Sequence, residues 1–244
     1  MNRLLIALQF LTILPIRTKA LFREEDFKSV FAFFPAAGVF IGLIPAVLVL
    51  FLGSLPHLAL VALVLAVYTV TTGALHIDGL ADTCDGLFSG KPKEKILEIM
   101  RDSRIGTYGA VAVCLLLLLK FAFLSSLSGD VLWKMLILTP MFARWVQSVA
   151  CAGSKYARED GKAALFFKVA SVKDVITGGI FSLAMFYVFF GVKGLVLACA
   201  AGLPAAIFIR FADQKIGGMT GDTVGAASEI TELSVLFLCL VILS

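Results

Sequence analysis

Residues 31 to 53 read FAFFPAAGVFIGLIPAVLVLFLG, a run of apolar and small side chains without one charge. A hydrocarbon core roughly 30 Å thick is crossed at about 1.5 Å per residue, so about 20 such residues make one spanning helix. A helix is required because lipid satisfies no open backbone group. This run therefore predicts a membrane span. Comparable stretches occupy residues 55 to 75, 109 to 128, 131 to 150, 175 to 191 and 194 to 212, and a last one ends at Leu243. The whole chain agrees: of 244 residues 60% are hydrophobic and 16% charged, with a mean hydropathy of +0.99. A soluble domain has roughly 45 to 50% apolar and about 25% charged residues. The expected fold is all-α, a polytopic transmembrane helix bundle of about seven spans. Residues 3 to 16, RLLIALQFLTILPI, are too few to cross. They predict a short N-terminal interfacial or re-entrant helix, and without a small-residue cleavage site they do not read as a signal peptide.

Orientation follows from the connections, since cytoplasmic loops hold an excess of Lys and Arg. Arg3, Arg17, Lys19, Arg23 and Lys28 precede the first span, and SLPH after it holds no Lys or Arg. Lys91, Lys93, Lys95, Arg101 and Arg104 follow the second span, and SSLSGD near residue 128 again holds none. Lys155, Arg158, Lys162, Lys168 and Lys173 follow the fourth span, against a single Lys193 in the next turn. The alternation predicts a multi-pass protein of the cell (inner) membrane with its N-terminus and long connections in the cytoplasm. The net charge of +4 reflects these loops and contact with the lipid bilayer rather than nucleic acid. The five cysteines have no paired or metal-type spacing. With no repeat or linker, residues 1 to 244 read as one catalytic membrane domain, and a homo-oligomer stays open.

Of the 17 acidic residues, this topology leaves only Asp130 outside. Three of the others stand in LHIDGLADTCDG, residues 75 to 86, where Asp78, Asp82 and Asp85 are spaced i, i+4 and i+7. If the second span continues as a helix, the three share one stripe. Like charges so placed repel unless a cation sits among them, and an all-oxygen set suits Mg²⁺ or Mn²⁺. A solvated loop would also hold acids, but it has no reason to keep helical spacing or to exclude Lys. Gly79 and Gly86 remove bulk beside the stripe and admit a phosphate or another backbone.

Two later stretches add to it. In KPKEKILEIMRDSRIGTYG, residues 91 to 109, an amphipathic helix is followed by Arg101, Asp102, Ser103 and Arg104. The arginines suit a phosphate-bearing ligand, which guanidinium binds bidentately, and a positive-inside anchor explains them as well. In GGMTGDTVGAASEITE, residues 217 to 232, glycines including Gly218 and Gly221 accompany Asp222, Glu229 and Glu232. Their backbone N–H groups suit an anion, and acids entering a span are costly enough to suggest function. Arg144, inside the fourth span, is expected to face the bundle and pair with an acid or reach a phosphate. Lys134 and Arg210 are expected to snorkel. His76 reads as a helix-end hydrogen-bonding residue. A cation held by carboxylates beside arginines suits attack at phosphorus, with a carboxylate to deprotonate an alcohol.

HIDGLADTCDG, LEIMRDSRIGTYG and GGMTGDTVGAASEITE together resemble the cobalamin synthase family, the adenosylcobinamide-GDP ribazoletransferases, as do QFLTILPI, FFPAAGVFIG and YAREDGKA (residues 156 to 163). Ile77 and Cys84 depart from the family's Leu and Ala at non-ligand positions. The resemblance implies attack by the alcohol of α-ribazole, or of its 5′-phosphate, on the phosphoryl group next to cobinamide in adenosylcobinamide-GDP. GMP leaves, adenosylcobalamin or its 5′-phosphate forms, and Mg²⁺ is the cofactor. It further implies Asp78, Asp82, Asp85, Asp222 and Glu229 at the metal, and Arg101, Arg104 and Arg158 at phosphates. Asp102 would orient an arginine or complete the metal shell, and Asp82 is the first choice for base should it not be a ligand. Two rivals are weaker. A CDP-alcohol phosphotransferase would carry Arg where this chain has Asp82, and a transporter would place its acids near the midplane.

Overall fold

The computed structural model describes residues 3–16, 24–127, 129–161 and 163–243. Arg17, Lys19, Arg23 and Lys162, which contribute to the expected orientation, lie outside them. The described residues form no strand, only helices. These are α1 (Arg3–Leu11), α2 (Phe34–Phe51), α3 (His57–Thr71), α4 (Leu75–Leu87), α5 (Lys93–Ile99), α6 (Thr107–Ser125), α7 (Gly129–Gly153), α8 (Ala164–Val169), α9 (Val172–Ile216) and α10 (Gly221–Ile242). Two short 3₁₀ turns, Glu24–Phe27 and Val30–Phe33, lead into α2. Five helical segments are long and apolar enough to cross a membrane, and α3 with α4 make a sixth if that bent pair counts as one. The protein is a multi-pass α-helical membrane protein.

Two breaks explain how the seven apolar stretches map onto fewer helices. The 45-residue α9 holds one non-helical residue, Gly191, at φ 59° and ψ −140°. In a continuous helix, residues eight apart lie about 12 Å apart along the axis. Here a Cβ on Gly194 would collide with the Phe186 carbonyl, so the two arms of α9 double back on each other at Gly191. The second break corrects the expectation that the second span runs on through the aspartates. The chain turns at Gly73 and Ala74, at φ 59° and 54°, and α4 leaves α3 at 83°. A left-handed alanine costs about 1–2 kcal/mol. The chain just after α1 holds this turn in place: the Ile13 N–H donates to the Thr71 carbonyl (3.0 Å), and its side chain occupies the space a Gly73 side chain would need.

The core forms around α7, whose buried face runs from Leu132 to Cys151. Gly38 and Gly42 of α2 lie against its backbone, where a Cβ on Gly38 would fall 2.5 Å from Met141 Cα. Such small-residue contacts let membrane helices approach closely where no hydrophobic effect drives them together. α10 packs on α4, α7 and α9, and α4 also contacts α5 and α6. The end of α7, the starts of α6 and α10, and α4, α5 and α8 thereby meet at one end of the bundle. α1 packs its buried residues, Ile6, Ala7, Leu8 and Leu11, beside α2 at that end.

Candidate active site

All three aspartates lie on α4, but they serve different neighbours. Asp78, in the first turn, lines a cavity of about 530 Å³ together with His76. Asp85 turns to the start of α6, where its Oδ2 accepts the Gly106 N–H (2.7 Å) and its Oδ1 the Gly109 N–H (2.8 Å). α6 has no side-chain cap of its own, so Asp85 supplies one from another helix. Gly106 and Gly109 have no Cβ, and one at either position would collide with the carboxylate. Asp82 lies half-buried between them, with Asp78, Asp222, Asp85 and Arg158 as its charged neighbours.

Asp222 comes from the first turn of α10. That helix starts at a capping box in which Thr220 and Thr223 satisfy each other's backbone N–H groups. Gly79 lets α10 meet α4 backbone to backbone, since a Cβ there would lie 2.8 Å from the Asp222 carbonyl oxygen. This contact sets Asp222 beside Asp78 and Asp82. Arg158 donates to Asp222 Oδ2 (2.8 Å), and Arg101 donates to Asp160 Oδ1 (2.8 Å). Both arginines line the cavity with Asp78, Asp222 and Gly221, and Gln147 of α7 meets His76 Nε2 there (2.8 Å). Two backbone bonds, Met219 N–H to the Lys155 carbonyl and Ala157 N–H to the Met219 carbonyl, tie the YAREDGKA loop to the start of α10. Gly218 supports that junction: its N–H donates to the Asp213 carbonyl and its Cα packs under Lys155. Asp102 and Arg104 stand outside the cavity as an exposed pair (2.6 Å). Hydrogen bonds from Arg104 side chain and backbone hold the Asp102 carboxyl down at about 2.

The donor set fits a hard cation, because Asp78, Asp82 and Asp222 offer only oxygen. It is no closed cage: among the described residues no three His, Cys, Asp or Glu side chains converge as a ready metal site. Mg²⁺ needs none, since it is usually held by one or two carboxylates, waters and substrate phosphates.

Glu229, expected at the metal, stands instead in a network deep in the bundle, and Arg144 faces the bundle there and pairs with an acid, one of the two roles expected of it. Lys120 Nζ lies 2.5 Å from Glu229 Oε2 and 2.6 Å from Glu232 Oε2, and Arg144 Nη1 lies 2.5 Å from Glu232 Oε1. The Tyr68 hydroxyl donates to Glu232, and Arg144 also donates to Ser228 (3.2 Å). The two cations and two carboxylates balance, and no side chain among the four is more than 3% exposed. From the sequence, Glu232 stands with Asp222 and Glu229 among the acids that could add ligands to a cation, and Lys120 and Tyr68 have no role at the site. The available signal was the opposite charges of Lys120 and the Glu229–Glu232 pair inside spans.

Fold and site together define a class: a multi-pass helical membrane protein with paired acids and arginines around a cavity at one end of its bundle. Within that class the chain belongs to the cobalamin-5-phosphate synthase family, whose sequence profile matches residues 3–240. It is 40% identical over 240 residues to an adenosylcobinamide-GDP ribazoletransferase of Clostridium novyi, covering 96% of this chain and 94% of that one. Enzymes of the same name from Geotalea daltonii and Acetivibrio thermocellus are each 38% identical, over 98% of this chain and 95% and 97% of theirs. No solved structure matches the chain.

Proposed function

We propose that the chain joins α-ribazole, or its 5′-phosphate, to adenosylcobinamide-GDP. A ribose hydroxyl oxygen bonds to the phosphorus next to cobinamide, the bond from that phosphorus to the bridging diphosphate oxygen breaks, and GMP leaves. The product is adenosylcobalamin or its 5′-phosphate. The observation that carries this reading is the convergence of Asp78, Asp222, Arg101 and Arg158, from four separate stretches of sequence, on one cavity. A second reading, transport through the bundle, is disfavoured by the mutual neutralisation of the intramembrane charges.

Arg158 and Arg101 bind the diphosphate, exchanging their present partners Asp222 and Asp160 for phosphate oxygens. Asp78, Asp82 and Asp222 would hold Mg²⁺, which when bound would neutralise phosphate charge. Asp82 would accept the hydroxyl proton should it not be a ligand of the metal. His76 and Gln147 form the wall behind Asp78. The chain acts as one catalytic domain, residues 1–244, in the inner cell membrane. The alternation of basic connections turns this end of the bundle to the cytoplasm, where a charged nucleotide substrate is found.

GMP release by the purified protein in detergent, from adenosylcobinamide-GDP and α-ribazole, tests the reading. Chelator-sensitive release with a cobalamin product is expected. Absence of release from folded protein with either acceptor overturns it.

A further inference from the structure

The cavity has a second end that the phosphoryl chemistry does not use. Phe10 of α1, Phe31 and Phe34 around the start of α2, and Phe166 and Phe167 of α8 all line it. Phe166 is the hub: its ring centroid lies 4.2 Å from that of Phe10, 5.9 Å from Phe31 and 6.4 Å from Phe34, with tilted or edge-on planes. Offset and edge-to-face arrangements are those in which aromatic rings attract, and they leave ring faces and edges for a further aromatic guest. None of these side chains offers a hydrogen bond. The Phe31 carbonyl is already met by the Ser148 hydroxyl (3.3 Å). The phenylalanines and the acid–arginine set therefore line one space, with Tyr156 packed on Phe167 (ring centroids 5.1 Å) as the aromatic residue there that carries a hydroxyl.

We propose that this aromatic end binds the base of the acceptor nucleoside, so that the acceptor, and not the corrinoid, fills the cavity. The inference rests on the transferase reading above and assigns that reaction's acceptor to named residues. Three substrate parts compete for the space. Guanine carries several donors and acceptors that phenylalanine rings would leave unpaired, a costly outcome for buried polar groups. The corrin macrocycle with its amide side chains exceeds a cavity of about 530 Å³. The base of ribazole, a dimethylbenzimidazole, is flat, bicyclic and poor in hydrogen-bonding groups, and a nucleoside matches a volume in the lower part of the ligand-site range, about 300–1,000 Å³. With the base among the phenylalanines, the ribose points toward Asp78, Asp222 and Arg158, where the new ester forms. The corrinoid then approaches from outside, presenting its diphosphate to the same charged groups.

The first measurement is binding of free 5,6-dimethylbenzimidazole to the wild-type protein, followed by the base's own fluorescence, which needs no turnover. Phe10→Ala probes the rim, where the ring is 43% exposed and its loss threatens folding little; Phe166→Leu probes the hub. Saturable binding, weakened about tenfold by Phe10→Ala, is expected. In the GMP-release assay the same variant should raise the acceptor KM about tenfold with kcat and the adenosylcobinamide-GDP KM unchanged, the pattern of lost uniform binding. The free base should compete with the acceptor alone. Competition with adenosylcobinamide-GDP, a variant effect confined to that substrate's KM, or no saturable binding overturns the inference. Wild-type protein that binds the base but releases no GMP overturns the transferase reading and leaves the aromatic site standing.

Discussion

The protein pairs cations with carboxylates in two places, to opposite ends. Inside the bundle, Lys120, Arg144, Glu229 and Glu232 meet at 2.5–2.6 Å with almost no exposure. At the cavity, Arg158 and Asp222 meet at 2.8 Å with side chains 12% and 25% exposed, and Arg101 and Asp160 at 2.8 Å with 53% and 86%. A buried ion is held because leaving it unpaired is worse, whereas a half-wet pair exchanges its partner for another ion at little cost. The first network is closed and locks helices α6, α7 and α10 together. The second is open, and its arginines and acids are free to change partners. Opposite charge alone does not separate the two uses; depth in the bundle does.

The most severe way to break this comparison is to unbalance the closed network. Glu232→Gln leaves Lys120 and Arg144 with one carboxylate between them, and losing one partner of a buried pair costs about 3–5 kcal/mol. Thermal unfolding in detergent should show a large loss of stability, with little folded protein recovered. A variant that unfolds at the wild-type temperature would place Glu232 with the exchangeable pairs. Next in size is Asp82→Asn, beside the cavity acids Asp78 and Asp222. It should lower GMP release about 10²–10⁴-fold, the usual contribution of a positioned base, without moving the unfolding temperature. An active variant removes Asp82 from the chemistry.

Most of the fold was legible because the bilayer imposes length and polarity on every span, and the runs ending near Leu243 and beginning near Phe31 show both. The 83° turn between α3 and α4 was not. It depends on Gly73 and a left-handed Ala74, held by a contact from Ile13 that is distant in sequence. Within the site, the spacing of Asp78, Asp82 and Asp85 was read as one stripe with one use. Helical periodicity places side chains on a face of their own helix and carries no information on what stands opposite. Here α10 stands opposite Asp78 and Asp82, and the start of α6 opposite Asp85. The partnership of Glu229 with Lys120, 109 residues away, was hidden for the same reason. One clue to Asp85 was present: GTYG opens α6 with glycine at the capping position, so that helix needs an acceptor from elsewhere.

Asp85 sharpens the comparison, because it belongs by sequence to the cavity acids and by contact to the structural ones. Asp85→Ala strips the acceptors from two backbone N–H groups and should lower stability by about 1–2 kcal/mol, the upper range for a lost cap. Asp85→Asn keeps one carbonyl acceptor and should lose less. If Asp85→Ala unfolds normally but releases no GMP, this carboxylate acts on the cation and its contact with α6 is incidental.

The smallest effect is expected at Asp102 and Arg104, where charges of the same kind stand in open solvent. With its carboxyl held near 2, below the about 3.9 of an unperturbed aspartate, Asp102 favours the folded state fully above pH about 4. That contribution falls away only as pH drops through about 2, so the pair contributes no change in stability between pH 5 and 8. Arg104→Gln should return the Asp102 carboxyl toward its ordinary value, read by carboxyl carbon NMR shifts, with the unfolding temperature at pH 7 unmoved. A drop in GMP release with that temperature unmoved would mean that Arg104 reaches phosphate during turnover. The open set of exchangeable pairs would then extend from the cavity onto the loop between α5 and α6.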